Sequence, residues 1–248
     1  MCDTVIHHSH IITTQLFMDS RPAPSGPINI EAQGPSPETF EPFGAIVAIR
    51  IPPNLQSIDA ITSSAVPDPK ITDTYKLANG DTALKSRVPW TLTNGRQDPP
   101  SGIPPWPVIN TFTCFPQAIQ PHSPVASIFR VCTLERHPYT SQTFVPMTSP
   151  AANADTKYLV IVAPNSVTEG SGEDTRPAVG EAKALVLDRA QAVSYGAGTW
   201  HSPMVVLGPE RIDFAVMQQI NNVEEEDCQT VTIEGEGLQI VISHDLLA

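Results

Sequence analysis

Proline recurs too often in this chain for long helices to form. There are 26 prolines among 248 residues, spread along most of the length. Proline lacks a backbone N–H and fixes its own φ, so it is expelled from helix interiors and from central strands. Many short elements joined by turns are therefore expected. Hydrophobic residues make up 40% of the chain and charged residues 16%. That is enough apolar material for a packed core, in one large β domain or two small ones.

The formal net charge is -12. A field of that sign repels nucleic acid and anionic lipid headgroups, and no cluster of Lys and Arg offsets it locally. Neither nucleic acid nor membrane is expected as a partner, and any site for an anionic small molecule must be locally positive. No apolar run reaches the roughly 18 residues of a membrane span. The opening MCDTVIHHSHIITT has no basic stretch before a continuous apolar run, so it is a poor secretion signal and a cytoplasmic location is expected. Cys2, Cys114, Cys132 and Cys228 show no paired metal or redox spacing, and reduced, buried thiols are expected.

Residues 1–25 lead into RPAPSGP (21–27) and are expected to be a flexible extension, with His7, His8 and His10 exposed to solvent within it. Residues 26–248 then form a single domain, with inserted loops near 52–74 and 94–107. In PSPETFEPFG (35–44), Ser36 is placed to cap one helical turn that starts at Pro37 and ends before Gly44. The acidic run Glu224–Asp227 is expected to be a solvated turn between strands.

Strand signals crowd the second half: VASIFRVCTLERH (125–137), SQTFVPM (141–147), KYLVIVAP (157–164), KALVLD (183–188), PMVVLG (203–208), IDFAVMQQI (212–220), CQTVTIE (228–234) and GLQIVIS (237–243). Earlier candidates are INIEAQ (28–33), GAIVAIRIP (44–52) and VINTFTCFP (108–116). Short strands with turns between them predict a mainly β barrel or jelly roll with a few short helices.

Two clusters carry chemistry. In the first, Glu135 and His137 are two apart and share a face on a strand, while Gln142 follows across a proline-containing turn. This resembles the first metal motif of the cupin family, with Glu in place of its first His and Gln in place of its carboxylate. In the second, Gly196, Gly198 and His201 resemble the second cupin motif. That resemblance implies a double-stranded β-helix that brings Glu135, His137, Gln142 and His201 together. These four would then be candidate ligands of a divalent metal, although glutamine is a poor transition-metal ligand.

A more specific resemblance runs through most of the chain. PSPETFEPFGAIV (35–47), ANGDTALK (78–85), ERHPYTSQTFVPM (135–147), YLVIVAP (158–164), VSYGAGTWHSPM (193–204) and DFAVMQQINNVEEEDCQ (213–229) resemble, in order, the signatures of the ureidoglycolate lyases, fungal members in particular. The chain departs from that pattern at Gly80-Asp81, at Lys85, where many members have Arg, and at Ser202, where many have a second His. The resemblance implies a carbon–nitrogen lyase that cleaves (S)-ureidoglycolate to glyoxylate and urea, within allantoin and purine breakdown. It also implies a homodimer and a divalent metal, often nickel. No organic cofactor is expected.

Ureidoglycolate carries a carboxylate, a hydroxyl, a hydrogen and a ureido nitrogen on one carbon. Cleavage must remove the hydroxyl proton and deliver a proton to the departing nitrogen. His137 or Glu135 is the candidate base, and His201 is a candidate base, acid or metal ligand. Lys85 or Arg136 is the candidate clamp for the carboxylate. On a regular strand Arg136 points away from Glu135 and His137, where a structural ion pair is its other role. Asn79 is read equally as a ureido ligand or as a turn residue of positive φ. Another class of cupin metal enzyme and a non-catalytic binding cupin are the alternative readings.

Overall fold

A computed structural model describes residues 26–48, 75–80, 82–86, 99–147, 156–168 and 172–248. The N-terminal histidines, the 52–74 loop and the first part of the 94–107 loop lie outside these residues.

The chain enters through β1 (Ile28–Glu31), the helical turn α1 (Pro37–Phe40), a 3-10 turn over Glu41–Phe43, and β2 (Gly44–Ala48). The hairpin β3 (Tyr75–Ala78) and β4 (Ala83–Ser86) follows. Next come β5 (Trp106–Cys114), β6 (Gln120–Ser123), β7 (Ala126–Val131), β8 (Thr133–Arg136) and β9 (Gln142–Pro146). Beyond them run β10 (Lys157–Ala163), β11 (Asn165–Thr168), β12 (Gly172–Pro177), β13 (Lys183–Leu187) and β14 (Gln191–Tyr195). The last elements are β15 (Trp200–His201), β16 (Val205–Leu207), β17 (Ile212–Ile220), the helical turn α2 (Glu224–Asp227), β18 (Gln229–Thr232) and β19 (Leu238–Ser243).

Three sheets stack. The middle one runs β13-β10-β15-β8-β18, with β16 also on β10. On one side lies β1-β19-β7-β6, and on the other β2-β14-β9-β17-β5. β10 shows why the middle sheet forms. Tyr158, Val160 and Val162 enter one core, and the alternate residues Leu159, Ile161 and Ala163 enter the other. A strand buried on both faces has no place for alternating polar residues, so its sequence is continuously apolar. Packed, mostly antiparallel sheets with only short helices match the expected mainly β class and are consistent with a cupin-like sandwich.

The first helical turn is built as its sequence suggests. The Ser36 hydroxyl accepts from Thr39 N–H at 3.2 Å, and Pro37 opens the turn. Phe40 is then buried against Tyr195. Gly44, at φ 147°, ends the segment where β2 meets β14. A Cβ there would lie 1.9 Å from the Ser194 carbonyl oxygen, so only glycine permits the approach.

Some elements differ from expectation. The apolar run 125–137 is divided into β7 and β8 at Cys132. Cys114 and Cys228 are free thiols, but Cys132 is disulfide-bonded, which the wide spacing of the cysteines gave no reason to expect. The acidic run forms α2, a helical turn whose carboxylates do structural work described below. No helix among the described residues is long and apolar enough to cross a membrane.

Candidate active site

The space between the middle sheet and the β2-β14-β9-β17-β5 sheet changes character along its length. Phe144, Val193, Phe214 and Val216 fill it with apolar packing. One step further along each strand the same inner face carries Gln142, Tyr195 and Gln218. Across from them, β8 and β15 pair so that Glu135 stands opposite His201. Ligand atoms of Glu135, His137 and His201 all lie within 4.8 Å of one another.

Each imidazole is oriented by its own backbone contact. His137 Nδ1 lies 2.5 Å from the Asp227 carbonyl, and His201 Nδ1 lies 2.9 Å from the Thr199 carbonyl. A carbonyl oxygen only accepts, so each Nδ1 carries the proton and each Nε2 presents a lone pair. Both Nε2 atoms are buried without a hydrogen-bond partner. His201 Nε2 faces Glu135 Oε1 at 3.6 Å, and the two rings sit 5.5 Å apart. Glu135 keeps 26% of its side chain exposed, so the cluster is not sealed from solvent.

Burial works to raise the Glu135 carboxyl, but the approach and charge of His201, with the charge of His137, outweigh it and hold the group below the usual carboxylate range. His137 is held below the ordinary imidazole value, by burial first and by the charge of His201 second. The pair therefore presents an ionised carboxylate beside a neutral ring at neutral pH.

The acidic turn is what holds His137. The Asp227 carboxylate accepts the backbone N–H groups of Asn221 and Asn222, both at 2.8 Å. Glu226 accepts from Ser101 N and Oγ at 2.7 Å and from Asn221 Nδ2 at 2.6 Å. These bonds tie α2 to the end of β17 and to the segment before β5, and so fix the carbonyl that orients the ring.

The other candidates take different places. Gln142 is in the cluster: it lies against His137, and its Nε2 donates to Gln218 Oε1 at 2.8 Å. Asn79 sits at the β3–β4 turn with φ 52°, exposed, its carbonyl accepting from Thr82 Oγ1 at 2.8 Å. Lys85 is exposed on β4, opposite Lys76. Among the described residues, no contact brings Asn79 or Lys85 to the imidazoles.

Arg136 points to the far side of β8. It lies 4.8 Å over the Trp200 ring, and its guanidinium donates to Gln229 Oε1 and Asn165 Oδ1. Arg136→Met is accordingly expected to cost about 2–3 kcal/mol of stability, because it leaves the two amide oxygens unpaired. Its KM for substrate should stay at the wild-type value. Paired urea-denaturation and kinetic measurements check this, and a raised KM with unchanged stability would place Arg136 at the substrate instead.

Sequence reasoning missed three contributors. Tyr195 stacks on His201 with ring centroids 4.0 Å apart and planes at 12°. Its signal was alternation with inward Val193. Gln218 was marked by extending the inward series Phe214, Val216. The Asp227 carbonyl is a backbone group and had no signal.

The profile of the family described as ureidoglycolate lyase matches residues 27–240. The chain belongs to the ureidoglycolate lyase family. The ureidoglycolate lyase of Schizosaccharomyces pombe is 33% identical over 206 residues, covering 83% of this chain and 92% of that protein. That of Saccharomyces cerevisiae is 32% identical over 202 residues, covering 77% and 85%. A Burkholderia mallei ureidoglycolate lyase is 34% identical over 113 residues, covering 46% and 52%. Glu135, His137, Gln142, Tyr195 and His201 all fall within the ureidoglycolate lyase match.

Proposed function

We propose that this chain is a ureidoglycolate lyase that releases glyoxylate and urea from (S)-ureidoglycolate, with the Glu135, His137 and His201 cluster as its reaction centre. The observation that carries this reading is the pair of buried Nε2 lone pairs beside an ionised carboxylate, inside a chain of this family.

The chemistry is a proton rearrangement. His137 Nε2, with its Nδ1 proton committed to Asp227, takes the proton of the substrate hydroxyl. The O–H electron pair becomes the carbonyl bond of glyoxylate as the C–N bond breaks. The departing nitrogen takes that proton by way of His201 Nε2, whose lone pair receives it beside Glu135. The inner apolar packing of Phe144, Val193 and Phe214 keeps bulk water from the centre.

The same atoms suit a divalent metal ion. Two neutral imidazole nitrogens without partners and one carboxylate are a donor set that such ions accept. Glu135, His137 and His201 would hold it, with Gln142 beside them, and when bound it would polarise the substrate hydroxyl. Nickel is the ion of our reading. A cytoplasmic homodimer acting in purine breakdown completes that reading.

The test is release of urea and glyoxylate from (S)- and (R)-ureidoglycolate, with and without chelator. Urea from the (S) substrate is expected. Ammonia in place of urea, or no turnover with either enantiomer or any added divalent metal, contradicts the proposal. Dioxygen consumption with bound iron would favour another class of metal enzyme.

A further inference from the structure

The reaction centre accounts for a hydroxyl proton and a leaving nitrogen, but it leaves the ureido group itself unheld. Two further buried polar atoms beside it have no hydrogen-bond partner: the Tyr195 hydroxyl and Gln142 Oε1. Buried polar groups in folded proteins are nearly always paired, so two orphans at a reaction centre ask for a ligand.

Their placement is set by the sheet. Tyr195 on β14 and Gln142 on β9 are directly opposed in the ladder. Val193 and Phe144, two residues away on each strand, both belong to the inner core, so Tyr195 and Gln142 point to that same inner side. Directly opposed side chains start about 4.5–5.5 Å apart at Cβ. The Tyr195 ring lies flat against His201 with ring centroids 4.0 Å apart, which fixes the ring beside the reaction centre. A phenol hydroxyl can donate a hydrogen bond as well as accept one, so it suits a carbonyl oxygen.

Gln142 is oriented just as firmly. Its Nε2 donates to Gln218 Oε1 at 2.8 Å, and that bond leaves Oε1 as the acceptor of the amide, on the side of His137. Gln218 follows Phe214 and Val216 on the inner face of β17. A hydroxyl donor next to an amide acceptor is the complement of a ureido group, which presents a carbonyl acceptor and an N–H donor on adjacent atoms.

We propose that Tyr195 and Gln142 form the ureido-recognition subsite, with Gln218 as the positioning residue that fixes the Gln142 amide. The Tyr195 hydroxyl donates to the ureido carbonyl, and Gln142 Oε1 accepts from the neighbouring N–H. This rests on the ureidoglycolate reading above and adds to it the residues that select a ureido substrate over other hydroxy acids.

N-Carbamoylglycine is the probe, because it keeps the ureido group and carboxylate but has no hydroxyl to react. Glyoxylate is the control, because it has no ureido group. Calorimetric titration of the wild-type protein should show binding of both. Tyr195→Phe keeps the ring on His201 and removes only the hydroxyl. It is expected to weaken N-carbamoylglycine about tenfold to a hundredfold and to leave glyoxylate within about twofold. Its melting temperature should be equal or higher, since an unpaired buried hydroxyl is gone. Gln218→Met should weaken N-carbamoylglycine in the same selective way, to a smaller extent.

Unchanged N-carbamoylglycine binding in both variants overturns the subsite, and so does equal weakening of both ligands. If the wild type releases urea from ureidoglycolate but does not bind N-carbamoylglycine, the subsite alone falls. If it neither releases urea nor binds N-carbamoylglycine, the functional reading falls with it.

Discussion

Alanine at His137 or at His201 is expected to slow turnover of ureidoglycolate by about 10²–10⁴-fold, the range that one positioned acid–base group contributes. Both rings are committed at Nδ1 to a backbone carbonyl, so each has only its Nε2 to offer. With the rings 5.5 Å apart they serve one small reacting group together. Groups that act as a unit are strongly non-additive, so the double variant should be hardly slower than either single one. The fold should survive at His137, where the interior turns polar, while loss of the Tyr195 stack at His201 should lower the melting temperature without unfolding the protein. Urea and glyoxylate assays beside a thermal melt make the check. Near-normal turnover in either single variant removes that ring from the mechanism.

The fold was legible wherever one physical signal dominated. IDFAVMQQI alternates, and β17 occupies that whole run because only one of its faces is deeply buried. KYLVIVA is apolar beyond Lys157 and became β10, buried on both faces. β14 escaped notice. Gln191–Tyr195 is buried at every position, but its small and polar residues, Gln191, Ala192 and Ser194, look like turn material. β2 pairs with all three and β9 with Ser194 as well, so their burial has a tertiary cause. β15 is too short to carry a pattern, and its two residues serve opposite cores, Trp200 one and His201 the other.

The candidate site divides along the same line. Same-face spacing placed Glu135 and His137 together and turned Arg136 away, and the coordinates agree on both. The pairing of Glu135 with His201 is a long-range register that local spacing does not contain; the resemblance to known motifs supplied it. Asn79 and Lys85 came from resemblance without a geometric constraint, and they stand on a hairpin whose strands pair with each other. The acidic run looked like a solvated turn because four consecutive carboxylates usually are. Asp227 and Glu226 instead find backbone and amide donors from Asn221, Asn222 and Ser101.

Glu135→Gln should both slow the enzyme and move its pH profile. The side chain keeps its shape and loses its charge, and a loss of roughly 10²–10³-fold in kcat is expected if the carboxylate supports the His201 proton. The direction of the pH shift follows from the influences on His137. Burial and the charge of His201 pull it below 6.5, while the Asp227 carbonyl and Glu135 push back. The working form is the neutral ring. In the wild type, kcat/KM should therefore stay level down through neutral pH and decline only below 6.5. Without the Glu135 charge one opposing influence is gone, so the acid limb of the variant should lie lower still. Stability carries a matching sign. The Glu135 carboxyl is lowered in the fold, so its contribution is present above the ordinary 4.5 and is lost as pH falls through the lower folded value. The variant should lack that part of the acid destabilisation. An acid limb above 6.5 in the wild type, or one that the substitution moves upward, would mean that His137 does not act as the neutral base held by Asp227.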